Sequence, residues 1–472
     1  MNRTEKNIED AEIIRERINY YLSLEPEKLM ELAKKDKSDQ LHSIPHPDGF
    51  GLLLIGREGN KRFISLAERW KETQKEKKLD VDLNDFVGEL KVGFAKTFIF
   101  DQKPIIKPTL EKLLNRAYKQ LSSRFDQLTH FVPCSIVFHK NIPEFWIGPV
   151  RFLQKDKFLE IHQERLNKHK KKIVQRFTDN SKKENETKEE QEKVVEFSEK
   201  YANNLVDNIF EFFGGYDWVA EVTIPPCNKK VSKRRAIAAV EGAINVLKLI
   251  LGEYHSRKMS VEYYSGKSAI SAGLACTSDG SYIISVAKGA MGNLPVEEWL
   301  ETIGRNYNFF INEAARVIHC VIDPIVVTYL SERYIDALSW YGQAVSERAQ
   351  AAKLIKYVIA MERICLTGEQ KGITEILLNR ATTLYISGKD KKEFEKYKKN
   401  IKEIYDARSG LVHGSLSPFD DSMESLSSDA GEIAREVLLY GLDLYCSLGI
   451  KDSKFTIKKL KTAFEKEVSN YK

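Results

Sequence analysis

A chain of 472 residues is too long for one small core and sets an expectation of about two to four domains. Its 42% hydrophobic and 30% charged residues describe an ordinary folded protein and argue against a disordered or membrane-embedded class. The net charge of +6 permits an anionic partner such as RNA without demanding one. No apolar run reaches the roughly 18 residues of a transmembrane span, so no membrane association is expected. The opening MNRTEKNIEDAEIIRER is charged from the start and lacks a signal-like apolar core, so a cytoplasmic protein is expected. Cys134, Cys227, Cys276, Cys320, Cys365 and Cys446 are scattered, with no CxxC pair and no Cys/His cluster. A zinc site needs closely spaced ligands and a disulfide framework needs an oxidising compartment; the expectation is reduced, mostly buried thiols and no cofactor.

In chain order, a charged helix is expected over about 7–35. GFGLLLIG (49–56), the turn-like REGN and KRFISL then read as a hairpin. Residues 130–153 read as two strands joined around 141–143. Between 163 and 200 the composition changes to KHKKK and DNSKKENETKEEQEK, a solvated helix or a mobile linker. DWVAEVTIPPC reads as a strand ended by Pro225 and Pro226, followed by a helix over 232–255 with apolar residues at helical spacing. KSAISAGLACTSDGSYIISVAK carries two apolar runs around Asp279-Gly280, residues that tolerate the positive φ of a hairpin turn. Past Leu294 helices take over, with a boundary expected near 326–331.

The predicted fold class is an α+β N-terminal region of antiparallel strands and helices followed by an all-α helical-bundle C-terminal domain. The predicted divisions are an N-terminal α+β domain over 1–162, the charged helix or linker over 163–200, a second α+β segment over 201–330 and the helical domain over 331–472. No phosphate-binding loop, dinucleotide fingerprint or HExxH zinc motif is present in the sequence.

Projecting the C-terminal helices at about 100° per residue exposes an anomaly. In a helix read over 340–366, Ile355, Val358, Ile359 and Leu366 form a stripe that includes Glu362. In the next, over 373–386 with Gly388 as its cap, Ile373, Ile376, Leu377 and Leu384 form a stripe that includes Arg380. In the third, Tyr397, Ile401, Ile404, Tyr405, Leu411 and Val412 surround Arg408. An unpaired charge taken out of water costs several kcal/mol. These three must pair, as Glu362 with Arg380 or Arg408, or face a wet cleft; a register-fixing ion pair is the simpler alternative.

Arg408 belongs to YDARSGLVHG (405–414), five positions before His413. Arg and His at this spacing arise about once by chance in a chain with 9 histidines. SRFDQLTH, with Arg124 and His130, is such an accident. On a regular helix Arg408 and His413 point about 140° apart. A distortion near Gly410, or a second subunit, would be needed to unite them.

Across 331–449 these residues resemble the HEPN superfamily, whose ribonuclease members carry Arg, four to six residues and then His late in a helical bundle. The order resembles its Apea-like branch: a helix similar to WYGQAVSERAQAAKLIKYVIAMERIC, one similar to ILLNRATTLY, one ending in YDARSGLVHG, then SLSPFDDSMESLSSDAG and EIAREVLLYGLDLYCSLG. The resemblance implies a metal-independent endoribonuclease acting on RNA as a homodimer with a composite site, in a toxin or anti-phage setting. It implies Arg408 and His413 as catalytic residues, with Glu362, Arg380, Tyr405 and Ser409 supporting them.

The residue chemistry agrees. RNA carries its own nucleophile in the 2′-OH, so cleavage needs a proton carrier and a cation for the phosphorane-like transition state. A histidine shuttles protons near neutral pH and an arginine offers a fixed fork of donors. A phage-derived or nucleotide activator sensed by the N-terminal region is a further expected partner. The alternative is a non-catalytic helical sensor or interaction module.

Overall fold

The computed structural model describes residues 2–25, 27–28, 42–46, 51–74, 80–136, 142–183, 188–261, 270–276, 282–288, 296–387 and 391–471. They form two compact units, Met1–Leu128 with Ile224–Arg235, and Thr129–Thr223 with Ala236–Lys472. The divisions fall at 128/129, 223/224 and 235/236.

The first unit begins with α1 (Arg3–Leu22), opened by a capping box between Asn2 and Glu5. Of the helix expected over 7–35, residues 26 and 29–35 lie outside the described residues. β1 (Ser43–Pro45) and β2 (Leu52–Leu54) pair antiparallel. The expected second strand KRFISL is instead part of α2 (Gly56–Thr73). Phe63, Leu66, Ala67 and Trp70 recur at helical, not strand, spacing and are all buried. α3 (Leu83–Phe94) and α4 (Lys107–Ser122) complete a helical core in which Trp70 stacks on Phe86 with ring centroids 4.4 Å apart. Asp10, only 3% exposed, is neutralised by Arg62 and Arg69. The Arg124 of the chance Arg/His pair is a surface residue, bridged to Glu89 at 2.6 Å.

The second unit carries a five-stranded sheet with order β4-β5-β6-β3-β7. The stretch expected to give two strands gives three, β3 (Asp126–Ser135), β4 (Phe145–Ile147) and β5 (Val150–Gln154); of the expected joint at 141–143, residue 141 lies outside the described residues. The charged stretch is helical: α5 (Lys155–Lys183) and α6 (Lys188–Gly214) pack along each other as a hairpin.

β6 (Trp218–Cys227) runs through both prolines instead of ending at them. Its pairing with β5 covers only residues 218–222, so Pro225 and Pro226 remove no hydrogen bond on that side. α7 (Lys229–Ser256) is broken at Gly252, whose φ of 74° is left-handed. Ser260–Val261 forms β7, which pairs antiparallel with β3. β8 (Ile270–Cys276) and β9 (Tyr282–Lys288) make the expected antiparallel hairpin, whose turn lies outside the described residues.

Helices α8 (Val296–Glu301) and α9 (Asn308–Ile322) lead to α10 (Tyr329–Ser346), which starts at a capping box between Thr328 and Ser331. The helix expected over 340–366 is two. The chain turns extended at Glu347, whose carboxylate accepts the Arg348 N–H at 2.8 Å and the Ala349 N–H at 3.2 Å, and α11 (Gln350–Cys365) starts afresh. α12 (Ile373–Tyr385), α13 (Phe394–His413), α14 (Met423–Ser447) and α15 (Ile457–Ser469) follow. The expected cap Gly388 lies outside the described residues.

α11 packs between α10 and α14. A Cβ at Gly441 of α14 would lie 2.8 Å from Ile364 Cγ2, so that glycine permits the close crossing. Buried Arg333 donates to the Arg363 and Leu366 carbonyls, and Tyr445 Oη to Ile364 O at 2.8 Å, satisfying the end of α11. The chain is thus α+β with antiparallel strands and a predominantly helical C-terminal region.

Candidate functional site

The site begins with how α13 stops. Gly414 follows it in the left-handed region, φ 77°, and its N–H returns to Gly410 O, as do those of Ser415 at 2.9 Å and Leu416 at 3.1 Å. A Cβ at Gly410 would meet Leu416 Cβ at 3.0 Å, so this glycine serves the fold-back of the chain after the helix. It makes no kink: α13 runs without interruption through Gly410 to His413.

The buried face of α13 consists of Phe394, Ile401, Ile404 and Ala407. Tyr397, Tyr405 and Leu411 are half-buried, and Val412, expected in the stripe, is 53% exposed. The core contact therefore fades beyond Arg408. This arginine is 24% exposed, and its Nη2 lies 3.5 Å from Glu362 Oε2 on α11. Its Nε is buried with no hydrogen-bond partner among the described residues. The Tyr405 ring centroid is 6.0 Å from the guanidinium, at the outer limit of a cation–π contact, and Ser409 is half-buried beside it.

Glu362, with Ile355 and Ile359, lies on the partly buried flank of α11; the buried face is Leu354, Tyr357, Val358, Met361 and Ile364. Burial pushes the Glu362 carboxyl up, and the Arg408 charge only partly offsets this.

His413 is exposed and has no hydrogen bond or ion pair among the described residues. Five residues of regular helix separate it from Arg408 by about 140°. Within one chain the arginine and histidine diverge. The distortion that would unite them is absent from α13.

Arg380 joins a different cluster. At 8% side-chain exposure it meets Glu369 at 3.0 Å, donates to Cys365 O at 2.7 Å, and stacks on Phe464 of α15 with 4.9 Å to the ring centroid. Its ionic partner is thus Glu369, not Glu362. Burial works against the charge on Glu369, but the Thr367 hydroxyl and N–H donate to it and Arg380 lies beside it, and its carboxyl is held down to about 2. This is a satisfied ion pair that ties the loop after α11 to α12 and α15.

A further polar seam between α7 and the helical bundle was not singled out from the sequence. Lys353, 6% exposed, pairs with Glu253, which also accepts from Tyr357 Oη at 3.0 Å. Lys248 donates to Ser346 Oγ at 2.8 Å and to Gly342 O at 3.1 Å, and burial lowers its pKa to about 8. Arg435 of α14 takes the carbonyls of Leu249 and Ile250, at 2.8 and 2.7 Å, at the break before Gly252. The bonds of Lys248 to the Gly342 carbonyl and the Ser346 hydroxyl in the last turns of α10 are those of a basic side chain at a helix C-terminus. One signal was readable: Lys248 stands amid the apolar VLKLIL of its helix.

Comparison with protein-family models, with curated proteins and with solved structures finds no match for this chain. Among the described residues no helix is long and apolar enough to cross a membrane.

Proposed function

We propose that the C-terminal helices form an HEPN-like domain and that the protein is a metal-independent endoribonuclease, a cytoplasmic toxin or anti-phage effector. The observation that carries this reading is the state of Arg408: a half-buried guanidinium with one 3.5 Å ionic contact and an unpartnered Nε, on the helix that ends in exposed His413. A guanidinium left short of acceptors is prepared for a phosphate, which supplies them in a matching fork. In the proposed reaction His413 takes the 2′-OH proton as that oxygen attacks phosphorus and returns it to the 5′-oxygen as the P–O5′ bond breaks, leaving a 2′,3′-cyclic phosphate, and Arg408 stabilises the phosphorane-like transition state. Glu362 and Tyr405 position the arginine. Arg380 belongs to the scaffold in this reading.

Because Arg408 and His413 diverge on α13, a complete site takes the arginine from one copy and the histidine from another, which makes the working unit a homodimer. The test is incubation of the full-length protein with total RNA in EDTA, beside His413→Ala and Arg408→Ala. Cleavage that persists in EDTA and is lost in both variants supports the reading. The same divergence favours a second reading, a non-catalytic helical sensor or interaction module, and RNA left intact by the wild type under these conditions favours that one.

A further inference from the structure

The α5/α6 hairpin is rooted in the second unit by aromatic packing, Phe158 stacking on Phe213 at 5.1 Å and meeting Phe131 at 5.2 Å. Beyond that root its two helices, 29 and 27 residues long, extend about 40 Å. In the outer half Phe177, Phe197 and Tyr201 come together, Phe177 and Tyr201 at 6.1 Å and Phe197 and Tyr201 at 6.4 Å. They are 37%, 62% and 48% exposed, a contiguous aromatic patch on a heavily charged arm.

The charges around this patch identify its partner. α5 carries 10 Lys and Arg against 4 Asp and Glu. α6 carries 3 Lys against 7 Asp and Glu. At the root Lys157 pairs with Glu144, but beyond it the ion pairs found among the described residues of the arm, Lys168 with Glu164 and Lys193 with Glu189, each stay within one helix. Lys172 and Arg176 on α5, and Glu192, Glu196 and Glu199 on α6, are exposed with no ion pair among the described residues. A nucleic acid would meet the acidic helix that carries Phe197 and Tyr201 and be repelled.

We infer that the arm is a self-association surface, on which the hairpin of a second copy of this chain packs to form a four-helix bundle around the aromatic patch. A two-fold interface must be self-complementary, and a helix pair with one basic and one acidic member is so in one arrangement. With the axis along the arm, each basic α5 lies over the second copy's acidic α6, and adjacent helices run antiparallel. An axis across the arm instead sets like charge on like. Burying the aromatic trio from both copies supplies the apolar centre, and the unpaired charges form its rim.

The inference does not rest on the ribonuclease reading, and its readout is molecular mass instead of cleavage. Sedimentation equilibrium of the full-length protein at low and high salt should give a monomer–dimer equilibrium that salt weakens. Phe197→Ala with Tyr201→Ala should weaken the dimer about tenfold or more without altering the circular dichroism spectrum. Lys172→Glu with Arg176→Glu in one preparation, and Glu192→Lys with Glu196→Lys in another, should each be monomeric alone and form a heterodimer when mixed. A wild type that stays monomeric through the micromolar range, or a dimer indifferent to all these changes, overturns the inference. Aromatic substitutions that abolish RNA retention on a monomeric protein would overturn it too and give the patch to RNA.

Discussion

Arg380 and Arg408 pose the same problem one helix apart, and the structure solves it for only one of them. Arg380 is sealed among a carboxylate, a main-chain carbonyl and an aromatic face, whereas Arg408 has a single long contact and a bare Nε. An ion pair enclosed in this way holds a fold together. A guanidinium left partly unused is open to a ligand. Position in an apolar stripe does not separate the two, because both are placed alike in their helices.

The comparison breaks most sharply on activity. Under the proposed function, His413→Ala and Arg408→Ala are each expected to lower EDTA-resistant RNA cleavage by about 100-fold or more, while Glu369→Gln retains it; equal loss in all three would erase the distinction. Stability is expected to run the other way. Arg380→Met leaves the largely buried Glu369 with only the more distant Lys461, 3.9 Å away, as a cationic partner and should cost about 3 kcal/mol in urea unfolding, against about 1 kcal/mol or less for Arg408→Met.

Acid gives the next largest effect. The Glu369 carboxyl is depressed in the folded state, so the unfolded chain binds more protons over that interval. Its contribution is present above the ordinary carboxylate range and is lost as pH falls toward about 2. Thermal melts of the wild type across that range should show the loss, and Glu369→Gln should flatten it.

Glu362 has the opposite sign and a smaller effect. Its raised carboxyl means the folded state binds the proton more tightly, so its part in stability declines as pH rises through the ordinary carboxylate range. Glu362→Gln should remove that decline in the same melts, at no more than about 1 kcal/mol.

Local patterns were legible wherever one helix face decided the outcome. The apolar spacing over 232–255 placed most of α7, though not its break at Gly252, and two apolar runs placed the β8–β9 hairpin. KRFISL failed because a six-residue window suits either period, and only Trp70, one turn further on, shows the helical one. The break between α10 and α11 carries no Gly or Pro; it is held by the Glu347 carboxylate folding onto the next two N–H groups, which local propensity does not foretell. For the site, the inward charges were visible in sequence but their partners were not. Glu369, the partner of Arg380, stands in the loop after α11, outside any helical projection.

The sequence by itself determined that Glu362, Arg380 and Arg408 interrupt apolar stripes and that Arg408 and His413 diverge on a regular helix, since both follow from helical periodicity alone. Tertiary structure decided which charge meets which. It brought Glu369 onto Arg380, left Arg408 with one distant carboxylate, and kept α13 helical through Gly410. The reason is range: periodicity is set by bonds a few residues apart, whereas the satisfaction of a buried charge depends on groups delivered by other helices, whose approach no local pattern records.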